Sequence, residues 1–135
     1  MTNINFKTNL FKFQNFIFIM DKDCIFCRIS SGKIPAKRIY ENAGFFSIPD
    51  ANPQTDGHSL VISRQHFKTA LDIPASLGSE LVDCIKNTSI KIMKEKNANG
   101  FNVIGNNFES AGQAVHHVHF HVIPRKKGDG FKVVG

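Results

Sequence analysis

Three histidines at alternate positions, His117, His119 and His121, stand in the run His117-Val118-His119-Phe120-His121-Val122-Ile123. Successive side chains of a strand point to opposite faces, so the three imidazoles share one face and Val118, Phe120 and Val122 take the other. Packing alone gives little reason for such a row, because adjacent imidazoles must stay neutral or repel one another. The row supplies groups that donate, accept, attack or ligate metal near neutral pH. A neutral imidazole attacks a phosphoryl centre well, provided its second nitrogen donates to a fixed acceptor that sets the tautomer. A further histidine, His58, opens the apolar run Leu60-Val61-Ile62 after Gly57.

Cys24 and Cys27 form a C-x-x-C pair. Taken alone it is a redox motif, half of a metal site, or two core residues. Redox chemistry of the thioredoxin type expects a βαβ setting, which the sequence lacks. A zinc site needs four ligands, commonly two thiolates and two imidazoles, and the histidines on offer are His58, His66 and the row. Cys84 falls in a helical pattern with Leu77, Leu81 and Ile85 and reads as a small buried apolar residue. An odd total of 3 cysteines excludes a disulfide framework and points to a reducing cytoplasm.

The elements that must position these groups follow from pattern. The chain has 135 residues, enough for one domain with a real core. Cys24 to Ser31 reads as a short helix stopped by Gly32. Arg38 to Asn42 and Phe45 to Ile48 read as a hairpin across Ala43-Gly44, and His58 to Ser63 as a third strand. A long helix starts near Pro74 and runs to about Lys96, with Gly100 as its stop. Phe101 to Asn106 and Val115 to Ile123 are two further strands, joined through Gly112. The pattern predicts an α+β fold: an antiparallel sheet of about five strands with one long and one short N-terminal helix.

Residues 1–19 differ in character, being rich in Asn and Phe. Phe16 to Met20 is too short to cross a bilayer, and no secretory cleavage pattern follows it. The domain is expected at residues 20–135, with residues 1–19 as a leader outside the fold. The net charge of +6 favours anionic ligands such as phosphates. No basic run is interleaved with aromatics, so neither nucleic acid nor a membrane is expected as a partner.

The motif resembles the histidine-triad (HIT) superfamily, whose signature is His-apolar-His-apolar-His-apolar-apolar. Ile34-Pro35-Ala36-Lys37, Asp50, Asn106, Gly112-Gln113 and Gly128-Asp129-Gly130-Phe131 extend the resemblance, in order, over roughly residues 24–133. The resemblance implies a HIT-like fold and a zinc-bearing bacterial, Hint-like nucleotide hydrolase. It makes His119 the nucleophile, with His121 and His58 flanking the phosphate as charge stabilisers or proton donors. A nucleotidyl-His119 intermediate would form at the α-phosphate of a nucleoside phosphoramidate or dinucleoside polyphosphate, and water would release a nucleoside monophosphate.

The same resemblance assigns Gln113 to the phosphate, Asn106 to the pocket lining and Asp50 to the ribose hydroxyls of a purine nucleoside. It selects Cys24, Cys27, His66 and His117 as a structural Zn2+ site, as in the related galactose-1-phosphate uridylyltransferases. It also implies a homodimer. One position departs: the residue after the Gln, usually Ser or Thr, is Ala114, which removes a hydroxyl worth roughly 1 kcal/mol. That departure motivates an alternative, a nucleotide-binding interaction module with little turnover. A nucleotidyl transferase is the third reading. His116, facing away from the row, receives no role.

Overall fold

The computed structural model describes residues 8–13 and 16–135, with side chains described from Met20 onward. Five antiparallel strands form the main sheet, in the spatial order β3-β4-β5-β7-β6. These are β3 (Tyr40–Glu41), β4 (Phe45–Pro49), β5 (Ser59–Ser63), β6 (Gly100–Ile104) and β7 (His119–Arg125). A separate hairpin, β1 (Thr8–Phe13) with β2 (Phe16–Asp21), forms its own two-stranded sheet. The expected leader falls partly on residues 1–7, 14 and 15, which lie outside the described residues. At the end of β2, Met20 is buried against Cys27 and Cys24.

The central strand β5 is buried at every position, as its run of branched apolar residues requires. Its register against β7 sets Leu60 opposite His121 and Ile62 opposite His119. Cross-strand partners share a face, so the two histidines lie on the side of the sheet that carries Phe46, Ile48, Leu60 and Ile62. The short helix α1 (Ile25–Ser30) closes this side with Phe26 and Ile29. The opposite side carries Phe45, Val61 and Val122 and is covered by the long helix α2 (Gly78–Lys96) through Cys84 and Ile92. Burying each such Phe, Val or Ile contributes about 1.5–3 kcal/mol.

The structure shifts several expected boundaries: the first strand of the hairpin narrows to Tyr40–Glu41, and the strand expected at Phe101 to Asn106 runs Gly100–Ile104. The last strand starts at His119 rather than Val115. The His117 carbonyl is taken by the His119 ring and the Val118 N–H by the Phe67 carbonyl, so neither joins the ladder. The long helix ends at Lys96, as expected, but its cap is Asn97 rather than Gly100: Asn97 adopts φ 52°, ψ 44°, and its N–H and that of Ala98 close onto the Lys94 and Met93 carbonyls. Gly100 instead opens β6. Pro74 precedes a 3-10 turn, Ala75–Leu77, that leads into α2. Gly32, at φ +83°, follows the Ser31 C-cap of α1 as expected. Among the described residues no helix is long and apolar enough to cross a membrane.

Candidate active site

The histidine row is assembled by β7 and the turn before it. The Nδ1 of His119 lies 2.7 Å from the His117 carbonyl oxygen. A carbonyl only accepts, so Nδ1 carries the proton and Nε2 holds a free lone pair. Among the described residues no hydrogen bond engages that Nε2. Phe26 sets its ring edge-on to His119, with centroids 5.1 Å apart at 77°, and to His117 at 5.7 Å and 85°. His119 is 8% exposed, and burial pushes its pKa down, partly offset by the bond to the His117 carbonyl. It is therefore a neutral, oriented base at neutral pH.

A second chain of contacts fixes His58 and His121. The backbone N–H of Gln54 donates to His58 Nδ1 at 2.9 Å, which places the His58 proton on Nε2. That N–H faces His121 Nδ1 at 2.9 Å, so His121 carries its own proton on Nε2. Asp50 Oδ2 stands 3.3 Å from His58 Nε2 and 3.8 Å from His121 Nδ1. Burial lowers the His58 pKa against the pull of Asp50. Burial, followed by the nearby His119 and His58, brings His121 down to about 4. The site thus pairs a free nucleophilic nitrogen on His119 with an N–H donor on the next histidine of the same face.

Four donor atoms from distant segments meet on the other side of Phe26. The ligand atoms of Cys24, Cys27, His66 and His117 all lie within 4.8 Å of one another. Cys24 Sγ is 3.3 Å and Cys27 Sγ 3.5 Å from His117 Nδ1, and His66 Nδ1 is 3.2 Å from both Cys27 Sγ and His117 Nδ1. Donors around a tetrahedral zinc, with bonds of about 2.0–2.3 Å, stand about 3.3–3.8 Å apart. His117 Nε2 donates to the Ser63 carbonyl at 2.8 Å, which leaves Nδ1 as a lone pair aimed at the cluster. The N–H of Asp21 reaches Cys27 Sγ at 3.3 Å, and that of Cys27 reaches Cys24 Sγ at 3.5 Å.

Cys24 is held as the thiolate, chiefly by its hydrogen bond from Cys27 and against its own burial. The Cys27 thiol is pushed up, first by that bond and then by burial. These donors fit a closed metal site. Asp50, His58 and His121 also form a group of metal-ligand composition. Their tautomers argue against an ion there, because the Gln54 N–H keeps the proton on the His58 nitrogen that would have to ligate.

The other expected residues fall around this frame. Gln113 is 3% exposed and its amide is committed to the loop: Oε1 accepts from Phe108 N–H at 2.7 Å and Nε2 donates to the Lys68 carbonyl at 2.6 Å. Asn106 is half-buried, its Nδ2 beside Gly112. Asp50 faces the histidine pair, with Oδ1 accepting the Asn52 N–H at 2.8 Å. Ala114 is exposed and lines a cavity of about 530 Å3 with Cys24, His66, Val115 and His116. Arg125 is folded onto Asp129 by two bonds of 2.7 Å and onto Asn102 at 2.8 Å. Sequence reasoning missed Phe26, Ser63 and the Gln54 backbone. Only Phe26, inside the C-x-x-C pair, carried any positional signal.

This geometry agrees with comparison to known proteins. The HIT domain family model matches residues 31–128, and the chain belongs to the HIT family. It is 36% identical over 110 residues to the adenylylsulfatase HINT3 of Arabidopsis thaliana, covering 82% of this chain and 56% of that one. It is 37% identical over 107 residues to the adenosine 5′-monophosphoramidase HNT1 of Candida albicans, covering 76% and 70%. The crystal structure of a HIT family member from Bacillus subtilis superposes with a TM-score of 0.77 at 37% identity, covering 84% and 81%.

Proposed function

We propose that this chain hydrolyses nucleotides at the α-phosphate through a nucleotidyl-His119 intermediate and releases a nucleoside monophosphate. The observation that carries the reading is the 2.7 Å bond from His119 Nδ1–H to the His117 carbonyl, which leaves Nε2 unengaged. His119 Nε2 attacks phosphorus while His121 and His58 stabilise the developing charge. Fixed donors of this kind commonly supply ~3 kcal/mol each. Asp50 holds the ribose hydroxyls, and Asn106 and Gln113 shape the phosphate loop. The relatives named as an adenylylsulfatase and an adenosine 5′-monophosphoramidase support an adenylyl substrate. Nucleoside phosphoramidates are therefore favoured over dinucleoside polyphosphates.

Cys24, Cys27, His66 and His117 would hold a structural Zn2+; its spacing and the Ser63 contact support this. The ion would supply rigidity, joining α1 to the turn that carries His119. The catalytic domain is taken as residues 20–135, working in the cytoplasm. A homodimer is supported by β6, an edge strand that leaves Phe101 and Val103 exposed. Ala114, which brings no hydroxyl to the loop, favours a second reading, a nucleotide-binding module with little turnover.

The two readings separate on one experiment. Purified protein is given adenosine phosphoramidate and diadenosine tetraphosphate, with His119→Ala beside it. His119-dependent release of AMP supports hydrolysis. Equal, slow release from both proteins overturns it in favour of binding.

A further inference from the structure

Asp50 approaches two histidines at once. Its Oδ2 is 3.3 Å from His58 Nε2 and 3.8 Å from His121 Nδ1, and these nitrogens are themselves 2.9 Å apart. In the neutral pair one proton occupies that gap, on His58 Nε2, held there by the Gln54 N–H at the far side of the ring. A second proton, taken up by His121, puts an N–H on His121 Nδ1. Two N–H groups then face each other across 2.9 Å, which is repulsive. Asp50 Oδ2 lies at ion-pair distance from both nitrogens, so its negative charge offsets the added proton.

We propose that Asp50, besides any contact with ribose, is the positioning counter-ion that lets the His58–His121 pair carry one extra proton and so arms His121 as the acid for the leaving group. The inference rests on the hydrolase reading for its chemistry. His119 Nε2 bonds to phosphorus as the bond to the leaving group breaks, and the leaving group takes the proton from His121 Nε2. Water then attacks phosphorus and returns a proton to His121, and the N–P electron pair reverts to His119. The cycle is closed in protons and needs no other reactant.

The surroundings define what else faces the pair. His119 lies beside His121 on β7, with centroids 5.3 Å apart, and opposes protonation. Behind Asp50 and His58 runs a cavity of about 250 Å3 whose charged walls are Lys37, Asp56, Lys91, Glu95 and Lys96. Lys96 is paired to Asp56 at 3.3 Å. Among the described residues Asp50 is the acidic group paired with these imidazoles, at 17% exposure of its side chain.

The test is Asp50→Asn in the full chain, an isosteric change that keeps an oxygen for the Asn52 N–H. Histidine 15N NMR follows proton uptake by His58 and His121. Removing a charge at this distance is expected to weaken uptake by about tenfold or more, a midpoint at least one pH unit lower. An unchanged midpoint overturns the proposal, whether or not the protein turns over substrate. Turnover is compared on adenosine phosphoramidate and its 2′,3′-dideoxy counterpart. The proposal expects kcat to fall about tenfold or more on both, more steeply as pH rises. A defect confined to KM, vanishing on the dideoxy substrate, overturns it in favour of a ribose contact alone. Absence of turnover in the wild type refutes the hydrolase reading, and the NMR midpoint then decides the role of Asp50.

Discussion

Replacing Phe26 by Leu isolates the link between the Cys/His cluster and His119, the proposed nucleophile. Phe26 is 7% exposed and lies between Cys24 and Cys27 in sequence, so the cluster fixes its backbone. Its ring meets His117 at 5.7 Å and His119 at 5.1 Å, both edge-on. Leu keeps most of the apolar burial but forfeits both ring contacts, each worth about 0.5–1.5 kcal/mol. The stability loss should therefore be about 1–3 kcal/mol, against ~3–5 kcal/mol for Phe26→Ala, which also opens a cavity. Only the His119 contact bears on the reacting nitrogen. Its loss corresponds to a fall in kcat of about two- to twelvefold. Urea unfolding followed by circular dichroism gives the first quantity and steady-state AMP release the second. A variant that loses stability but keeps its full kcat refutes the reasoning: the ring would then hold the fold and not the nucleophile.

Four further outcomes follow. The purified protein should carry one zinc per chain by metal analysis, and Cys27→Ser close to none. Chelation should lower the thermal midpoint by about 12 °C if the ion contributes ~3 kcal/mol, at ~4 °C per kcal/mol for a domain of this size. Stability should fall as pH drops: burial lowers His58 and His119 and takes His121 from 6.5 to about 4. Between those pH values the unfolded chain binds more protons than the folded one, so urea midpoints must decline through that window, and a flat profile contradicts the assigned neutral imidazoles. Ala114→Ser should raise turnover about fivefold, the equivalent of one hydrogen bond of ~1 kcal/mol at the phosphate; unchanged or reduced turnover would show that a hydroxyl at this position does not serve the reaction.

The residues to which roles are proposed through their own side-chain chemistry stand out in the sequence by spacing. His117, His119 and His121 announce a shared face by alternation, and Cys24 and Cys27 are separated as metal-binding thiolates often are. The five-stranded antiparallel sheet and the long helix followed from period and breakers. What escaped depends on partners remote in the chain or on backbone atoms. The N–H that sets the His58 tautomer belongs to Gln54, and any residue but proline supplies it. The carbonyl that frees His117 Nδ1 belongs to Ser63, 54 residues away. The late start of β7 arises because the His119 ring consumes the His117 carbonyl, a side-chain claim on the backbone that hydrophobic pattern does not register. Asn97 ends α2 because a short amide side chain tolerates the left-handed conformation almost as well as the expected glycine.

Covalent trapping tests the central claim most directly. Wild-type protein is mixed with adenosine phosphoramidate, quenched rapidly without acid, digested and read by mass spectrometry. An adenylyl group bonded to His119, and absent from His119→Ala, is the predicted result. AMP released at full rate with no adduct on His119, or with the adduct on another histidine, would contradict it.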